Sequence, residues 1–331
     1  MSSGKNILVT GGAGFIGHHL IQFILETTDY NVVSLDRIDT SSSLSRLYDV
    51  LESNNEWKKR VRIVWHDLKA PLNEYIAKKI GTVDYILHLA AGSHVDRSII
   101  DPVGFVMDNV VGTTNLLEYA RELPDLKIFL NFSTDEVFGP AVNGLKFNED
   151  DRHNPCNPYS ASKSGAEQMC NAYCVSYKVP VITTHTMNVY GIRQNKEKFV
   201  PLVIHKLLKN EKIFVHADEN GVIGSRKYLN ARDVSSAIMF LLKNGKIGQK
   251  YNISSSEEVD NLKLAFKIAK IMNKDLSYET IYPSKTRGVN DIRYSISGNK
   301  IKDLGWKQEI FLEQGLKEII NWYKENPFWV L

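Results

Sequence analysis

Residues 10–17 read Thr-Gly-Gly-Ala-Gly-Phe-Ile-Gly, and this glycine-rich stretch decides the fold of the first half of the chain. It follows an apolar run at 5–10, which predicts a buried strand, and it precedes residues 15–25, whose apolar side chains have helical spacing. Glycines at such a turn allow a tight bend and a close approach of the backbone to a ligand. The free N–H groups of the following helix then form a binding site for phosphate.

An acidic residue indicates what that phosphate belongs to. Residues 31–36 have the pattern of a second strand, which ends in Asp36, 19 residues after Gly17. A carboxylate there accepts hydrogen bonds from an adenosine ribose and repels a 2′-phosphate. The spacing therefore predicts a dinucleotide site that prefers NAD. Arg37 leaves NADP open, because a guanidinium can pair with a phosphate.

The rest of the chain alternates apolar strands with helices, which predicts an α/β fold with a Rossmann-like, doubly wound parallel sheet. Further strands are expected at 61–66, 83–89, 127–133 and 181–186, and helices at 71–80, 102–122 and 159–177. After about residue 187 the alternation weakens, and helical patterns occur at 198–209, 231–242, 262–272 and 311–324. We expect a dinucleotide-binding domain at 1–187, with a return near 228–253, and a smaller mixed α/β lobe at 188–331 that binds substrate.

Composition excludes several classes of protein. The 331 residues are 43% hydrophobic and 24% charged, which is typical of a globular protein and excludes a disordered tail or a fibre. A net charge of +3 predicts neither nucleic-acid nor membrane-surface binding. Residues 6–25 carry no charge, but their four glycines and two histidines argue against a membrane span. Three cysteines without a CxxC pair predict no disulfide framework and a reducing, cytoplasmic location.

Tyr159 and Lys163 are the first candidates for chemistry. They are four residues apart on a predicted helix and therefore share one face. A tyrosine acts as a base near neutral pH only if its pKa falls by about three units. A neighbouring ammonium and an oxidised nicotinamide ring both favour the phenolate, so we expect the pKa of Tyr159 to be lowered.

Thr134, Asp135 and Glu136 end the fifth predicted strand and should lie beside this pair. Thr134 can bond the hydroxyl that Tyr159 deprotonates. A simple alcohol dehydrogenase needs no acid pair, so two carboxylates indicate a second round of acid–base chemistry. Like charges in one cleft split their pKa values, which leaves one carboxyl as an acid and the other as a base.

Several motifs together resemble the extended short-chain dehydrogenase/reductases, and within them the nucleotide-sugar 4,6-dehydratases, most closely the dTDP-glucose type. The resemblance covers essentially the whole chain, and the Thr-Asp-Glu triplet is its most discriminating part. The motifs are GGAGFIG (11–17), HLAAGSHVDRS (88–98), NVVGTTNLLE (109–118), STDEVFG (133–139), NPYSASK (157–163), NVYG (188–191) and KFVPLVI (198–204).

The resemblance implies a mechanism. Tyr159, aided by Thr134 and Lys163, takes the proton of the sugar 4-hydroxyl while NAD accepts the C4 hydride. Glu136 removes the C5 proton and Asp135 protonates the departing 6-hydroxyl. The hydride returns to C6, which gives a 4-keto-6-deoxy sugar and implies a tightly held NAD.

The resemblance also implies which residues bind. The cofactor residues are Gly11, Gly14, Phe15, Ile16, Gly17, Asp36, Asp67, Leu68, Leu89, Ala90, Ala91, Asn109, Tyr159 and Lys163. For Asp67, contact with adenine competes with a plain helix N-cap. The substrate residues are Ser93, His94, Asn188, Lys198, Arg226, Asn261 and Arg293. No metal is expected, and the family implies a homodimer through helices near 102–121 and 159–177.

Departures from the family pattern bear on the substrate. Gly92 stands where the dTDP-glucose enzymes have Glu, which is expected to open space for a 2-substituent such as N-acetyl. Asn290 replaces a family His, and Arg226-Lys227-Tyr228 replaces Arg-Asp-Trp, near the base. These residues favour a UDP-sugar, with UDP-GlcNAc ahead of UDP- or dTDP-glucose; a linked C5 epimerisation is open. The alternative functions are a nucleotide-sugar 4-epimerase and a catalytically silent NAD-binding scaffold.

Overall fold

The computed structural model describes residues 4–39, 41–142, 144–282 and 293–329. Its strands, in chain order, are β1 (Asn6–Thr10), β2 (Asn31–Asp36), β3 (Val61–Trp65), β4 (Tyr85–His88), β5 (Ile128–Thr134), β6 (Val181–Thr186), β7 (Asn188–Tyr190), β8 (Ile213–His216), β9 (Ser225–Asn230), β10 (Lys250–Ile253), β11 (Glu258–Asp260) and β12 (Tyr278–Ile281).

The helices alternate with these strands. They are α1 (Phe15–Thr27), α2 (Leu44–Glu52), α3 (Asn55–Lys58), α4 (Glu74–Ile80), α5 (Val95–Ile100), α6 (Pro102–Val106), α7 (Gly112–Arg121), α8 (Pro158–Tyr177), α9 (Phe199–Leu208), α10 (Ala231–Asn244), α11 (Asn261–Met272), α12 (Asn299–Asp303) and α13 (Leu312–Glu325). A π-helical turn, Met107–Val111, joins α6 to α7, and a 3-10 turn, Asp135–Phe138, follows β5.

Seven parallel strands form the main sheet, in the order β10-β6-β5-β4-β1-β2-β3. Strand β1 lies between β2 and β4, with Val9 opposite Ser34 on one side and Leu87 on the other. The strand order reverses there, and such a reversal opens a crevice at the carboxyl ends of the strands. The predicted Rossmann-like fold is confirmed.

The core consists of two apolar layers on the two faces of this sheet, and a third cluster fills the C-terminal lobe. Strands β7, β9 and β11 form one small sheet and β8 and β12 another. Strand β10 returns to the edge of the main sheet, and α10 packs against α1. The chain therefore leaves the main sheet for the lobe after β6, returns to the sheet at β10 and leaves it again at β11.

The predicted elements differ from the observed ones mainly at their ends. The helix predicted at 71–80 begins at Glu74, because Asn73 caps it by accepting the N–H of Ile76. The helix predicted at 102–122 is interrupted by the π-helical turn. The short helices α2, α3 and α5 carry no long apolar period and were not predicted.

Two further findings concern the described residues only. None of their helices combines the length and apolarity that a membrane span requires. All three cysteines are free thiols, and Cys170 is buried in the core.

Candidate active site

A cleft of about 380 Å³ opens at the carboxyl ends of the parallel strands, between the sheet and the C-terminal lobe. The residues that follow β1, β2, β4 and β5 contribute to its walls. Of the predicted site residues, those lining it are Gly11, Gly14, Phe15, Ile16, Gly17, Asp36, Asp67, Leu68, Leu89, Ala90, Ala91, Ser93, His94, Thr134, Asp135, Glu136, Tyr159, Lys163, Asn188 and Lys198.

The glycine turn forms one end of the cleft. Gly11 has a φ of +71°, and a Cβ on Gly17 would lie 2.1 Å from the carbonyl oxygen of Gly11, so side chains are excluded at both positions. Helix α1 begins after Gly14 without a side-chain acceptor for its first N–H groups. These groups face the cleft and suit a phosphate.

Asp36 and Arg37 lie at the end of β2, where an adenosine ribose is expected. The Asp36 carboxylate accepts the backbone N–H of Ala13 at 3.1 Å and that of Ile38 at 2.8 Å. Arg37 is held in a bidentate pair with Asp108, at 2.5 and 2.9 Å, and also pairs with Asp39. The pair with Asp108 raises the pKa of Arg37, so the guanidinium charge is already compensated. The Asp36 carboxylate and an Arg37 guanidinium whose charge is already compensated fit NAD better than NADP, which carries an additional 2′-phosphate.

Asp67 and Asn109 differ from their expected surroundings. The Asp67 carboxylate accepts the N–H of Lys69 in a turn, and Asn73 caps the following helix, so the helix N-cap interpretation of Asp67 is wrong. Asn109 is outside the lining of the cleft: it bonds both backbone groups of Gly92 and donates to Ser162. Asn109 therefore braces the cleft wall from behind.

Tyr159 and Lys163 are presented by α8, whose start is fixed by a capping box of Asn157 and Ser160. The Lys163 ammonium donates to the carbonyl oxygen of Phe132 at 2.7 Å, and burial lowers the pKa of Lys163 to about 8. Burial and the negative charge of Glu136 raise the pKa of Tyr159 above its ordinary value. In the protein without NAD, desolvation of the phenolate dominates; the lowering of this pKa, which depends on the nicotinamide ring as well as on Lys163, stays a prediction.

The acid pair lies on the 3-10 turn after β5, opposite Tyr159. Asp135 is 4% exposed and accepts the hydroxyl of Thr134 at 3.1 Å. Burial raises the pKa of Asp135 to about 6, and no described residue bonds its Oδ2. Glu136 is less buried and accepts the side-chain amide of Asn157 at 3.2 Å. The two carboxyls thus have the unequal environments that an acid and a base require.

Three predicted substrate residues lie outside the lining of the cleft: Arg226, Asn261 and Arg293. Asn261 is connected to the cleft indirectly: it accepts a hydrogen bond from the hydroxyl of Tyr228, and Tyr228 lines the cleft. Arg293 forms a bidentate pair with Glu258, at 2.6 and 2.9 Å, and donates to two backbone carbonyls. Arg226 lies over the Tyr294 ring. Asn290 is outside the described residues.

The predicted site residues leave out several lining residues, and two of these, Arg97 and Glu197, form a contact across the cleft. Arg97 on α5 lies 3.4 Å from Glu197 of the lobe, and His94 lies 3.9 Å from the same carboxylate. This contact joins the two walls of the cleft. The signal was present, since Arg97 belongs to the motif at 88–98 and Glu197 directly precedes Lys198.

Phe105 and Asp108 lie on the side of Gly92 from which a side chain would project. A Cβ there would lie 3.1 Å from the Phe105 ring and 3.4 Å from the Asp108 carboxylate. The ring of Phe105 also packs edge-on against Tyr159, with centroids 6.4 Å apart. A side chain at this position would therefore point towards Phe105, and the extra room for a 2-substituent stays a prediction.

Nearly the whole chain is similar to known proteins. The family model described as GDP-mannose 4,6 dehydratase matches residues 8–319. The dTDP-D-glucose 4,6-dehydratase of Homo sapiens is 35% identical over 328 residues, covering 97% of this chain and 91% of the relative. The dTDP-glucose 4,6-dehydratase from Streptomyces venezuelae, solved with NAD bound, superposes with a TM-score of 0.88 and 30% identity over 98% of both chains.

A longer relative matches only in part. The trifunctional UDP-glucose 4,6-dehydratase/UDP-4-keto-6-deoxy-D-glucose 3,5-epimerase/UDP-4-keto-L-rhamnose-reductase of Arabidopsis thaliana is 36% identical over 328 residues. The match covers 98% of this chain and 48% of the relative, so the chain spans about half the length of that protein.

Proposed function

The chain belongs to the GDP-mannose 4,6-dehydratase family, and from this premise we propose that it is an NAD-dependent nucleotide-sugar 4,6-dehydratase. The observation that carries the proposal is the acid pair beside Tyr159: one buried carboxyl with a raised pKa and one more exposed carboxylate. An epimerase has no step that uses both groups. Burying a carboxyl group lowers the stability of the fold, and a catalytically silent scaffold would gain nothing in return.

The first step concerns Tyr159. The glycine turn and Asp36 would hold NAD, which would supply hydride transfer from C4 of the sugar and back to C6. Tyr159 removes the proton of the 4-hydroxyl, and the hydroxyl of Thr134 orients that group. Because burial raises the pKa of Tyr159, the phenol loses its proton only when positive charge is brought next to it. Lys163, one helical turn away, supplies part of that charge.

The acid pair carries out the elimination of water. Asp135 holds its proton near neutral pH better than an exposed carboxyl and delivers it to the departing 6-hydroxyl. Glu136, held by Asn157, removes the C5 proton that the 4-ketone has acidified. The unbonded Oδ2 of Asp135 is the atom that meets the substrate.

For the sugar, we propose a glucose-type substrate with a 2-hydroxyl. The absence of a side chain at Gly92 favours UDP-GlcNAc, but Phe105 and Asp108 lie on that side of the cleft wall. UDP-glucose therefore takes the leading place, with uracil supported by the departures at Lys227 and Tyr228. The C5 epimerisation stays a prediction, which the configuration of the product at C5 tests.

Product analysis tests the proposed function. Purified protein is incubated separately with UDP-glucose, dTDP-glucose and UDP-GlcNAc, and products are identified by mass spectrometry and NMR. We expect loss of one water from UDP-glucose and a 4-keto-6-deoxy product. A product of unchanged mass identifies an epimerase, and no reaction with any of the three supports the scaffold.

The role of Glu136 gives the first prediction. In Glu136→Gln, oxidation at C4 proceeds but the C5 proton stays, so NADH accumulates and dehydration falls by about 10²–10⁴-fold. NADH absorbance and product mass measure the two steps separately. Glu309→Gln, an exposed site far from the cleft, is the control and should match the wild type. Normal dehydration by Glu136→Gln removes Glu136 from this role.

We also propose a homodimer. Five apolar residues on α5, α6 and the following π-helical turn are exposed, and Ile100 is 84% and Val103 70% exposed. These helices pack on α8, so the patch lies on the face where the family resemblance places the second copy. The patch comprises Ile99, Ile100, Val103, Val106 and Met107.

A further inference from the structure

A buried group of charged side chains lies behind the acid-bearing turn, outside the cleft lining. Glu167 on α8 is 2% exposed and lies 2.9 Å from Nε2 of His185 on β6. His153 is 3.4 Å from the other carboxylate oxygen, and the ammonium of Lys250 is 3.1 Å from it. The proposed mechanism uses none of these four residues.

Hydrogen bonds determine the protonation state of His185. The side-chain N–H₂ of Asn252 donates to the carbonyl oxygen of Phe147, so its Oδ1 is the acceptor for Nδ1 of His185 at 2.9 Å. Nδ1 therefore carries a proton. Nε2 lies at hydrogen-bond distance from a carboxylate, which only accepts, so it carries one too. With both ring nitrogens facing acceptors, the geometry favours a doubly protonated His185 paired with the Glu167 carboxylate.

The pair is connected to the catalytic base through α8. Tyr159, Lys163 and Glu167 follow one another at spacings of four residues, so they lie along one face of the helix. Burial lowers the pKa of Lys163, and Cys170 and the negative charge of Glu167 oppose that change. Glu167 thus helps keep Lys163 protonated.

The pair is also connected to the acid turn. Phe138 ends the 3-10 turn that carries Asp135 and Glu136, and its ring packs against His185, with centroids 4.8 Å apart. His153 packs edge-on against the same ring at 5.3 Å. The positive charge of His185 opposes the burial that raises the pKa of Asp135.

We propose that the Glu167–His185 ion pair is a positioning device for the reaction, which couples the helix carrying Tyr159 and Lys163 to the turn carrying Asp135 and Glu136. This inference rests on the proposed function. Glu167 and His185 act through their neighbours and touch neither sugar nor cofactor. One buried pair thereby positions both the residues for oxidation, Tyr159 and Lys163, and the acid pair for dehydration.

Two imidazoles and a carboxylate are also the ligands of many metal sites. The potential ligand atoms of His153, Glu167 and His185 lie within 4.8 Å of one another. Two observations favour the ion pair. Lys250 places an ammonium against the carboxylate, and the His185 nitrogen that faces Glu167 holds a proton. A cation added to this group would meet two existing positive charges.

The charged and titratable groups around the device come from several elements. Burial by itself would raise the pKa of Glu167, but the neighbouring histidines hold it well below its ordinary value. The charged or titratable groups facing Glu167, Lys163 or Asp135 are His153 before α8, Tyr159 and Cys170 on α8, His88 on β4, His185 on β6, Arg226 on β9 and Lys250 on β10.

Glu167→Gln tests the coupling. Removing the negative charge lowers the pKa of Lys163 further, so the alkaline limb of kcat/KM moves to lower pH by about one unit. Glu167→Asp keeps the charge and should restore the wild-type pH profile. The control is Asp233→Asn, a buried carboxylate on α10 that accepts two backbone N–H groups outside the cleft. Asp233→Asn should lower Tm and leave the pH profile of kcat/KM unchanged.

A readout that needs no substrate separates this inference from the proposed function. In ¹⁵N-histidine-labelled protein at pH 7.5, we expect both ring N–H signals of His185, assigned with His185→Asn, and loss of one in Glu167→Gln. A single ring proton on His185 in the wild type, or stoichiometric metal that is lost in His185→Asn, overturns the ion pair. An unchanged pH profile in Glu167→Gln overturns the coupling. Inactivity of the wild type with intact signals counts against the proposed function alone.

Discussion

At the residue scale, the candidate site works by giving chemically similar groups different surroundings. Asp135 is buried beside Thr134 and has a raised pKa, while Glu136, the next residue, is more exposed and held by Asn157. Tyr159 is neutral in the protein alone because burial penalises its phenolate. The proposed first proton transfer therefore depends on ligand binding.

Asp135 makes stability depend on pH. Its folded pKa of about 6 lies above the ordinary value of 3.8, so its contribution to stability is fully present below pH 3.8 and is lost as pH rises through 6. Asp135→Asn should then raise the free energy of unfolding at pH 7.5, by at most about 3 kcal/mol, and leave it nearly unchanged at pH 3.5. Dehydration should be lost.

Denaturant unfolding at the two pH values measures this effect. Asp303→Asn, an exposed carboxylate on α12, is the control and should show no such difference. Equal destabilisation of Asp135→Asn at both pH values would mean that Asp135 contributes a hydrogen bond rather than a buried charge.

At the scale of elements, two irregular segments place the cofactor end of the cleft. The turn between β1 and α1 needs glycine because helix and strand backbones approach within one side-chain radius. The π-helical turn between α6 and α7 directs Asn109 inward onto the backbone of Gly92. Neither segment binds by means of long side chains, and both act by fixing the course of the backbone.

Gly17→Ala should therefore abolish cofactor retention. The added Cβ would lie 2.1 Å from the carbonyl oxygen of Gly11, which is backbone and cannot swing away. We expect NAD to bind at least roughly tenfold more weakly, as measured by the NAD content of purified protein and by calorimetry. Gly298→Ala is the matched control, since its Cβ would meet Ser254 at an ordinary 3.4 Å. Full NAD content in Gly17→Ala contradicts this use of the turn.

At the scale of the whole molecule, the cleft lies where the chain crosses repeatedly between the main sheet and the lobe. The contact of Arg97 with Glu197 spans the two walls near the sugar end. The exposed apolar residues of α5, α6 and the π-helical turn lie outside the lining of the cleft. We therefore expect the lobe to select the sugar nucleotide and the exposed helices to bind a second copy.

Ile100→Asp should convert the dimer into a monomer, because a carboxylate in an apolar interface is desolvated without a partner. Sedimentation velocity measures the change. Phe328→Asp, at an equally exposed aromatic residue near the C-terminus, should remain dimeric. A monomeric wild type or a dimeric Ile100→Asp contradicts the proposed interface.

The local pattern of the chain determined the parallel sheet and most of the site. A strand, a glycine turn and a helix can be recognised from neighbouring residues, and parallel strands bring their carboxyl ends to one edge. Asp36, Asp135 and Tyr159 therefore come together from positions far apart in sequence.

Only the tertiary structure decided what surrounds those groups. Burial of Tyr159, the ring of Phe105 beside Gly92, the pairing of Arg37 with Asp108 and the place of Arg293 all depend on residues distant in the chain. Desolvation and ion pairing act through space, whereas the period of a strand or helix acts along the chain. The sequence by itself thus determined which groups meet, and the packing decided their charge, their partners and the room left for a substrate.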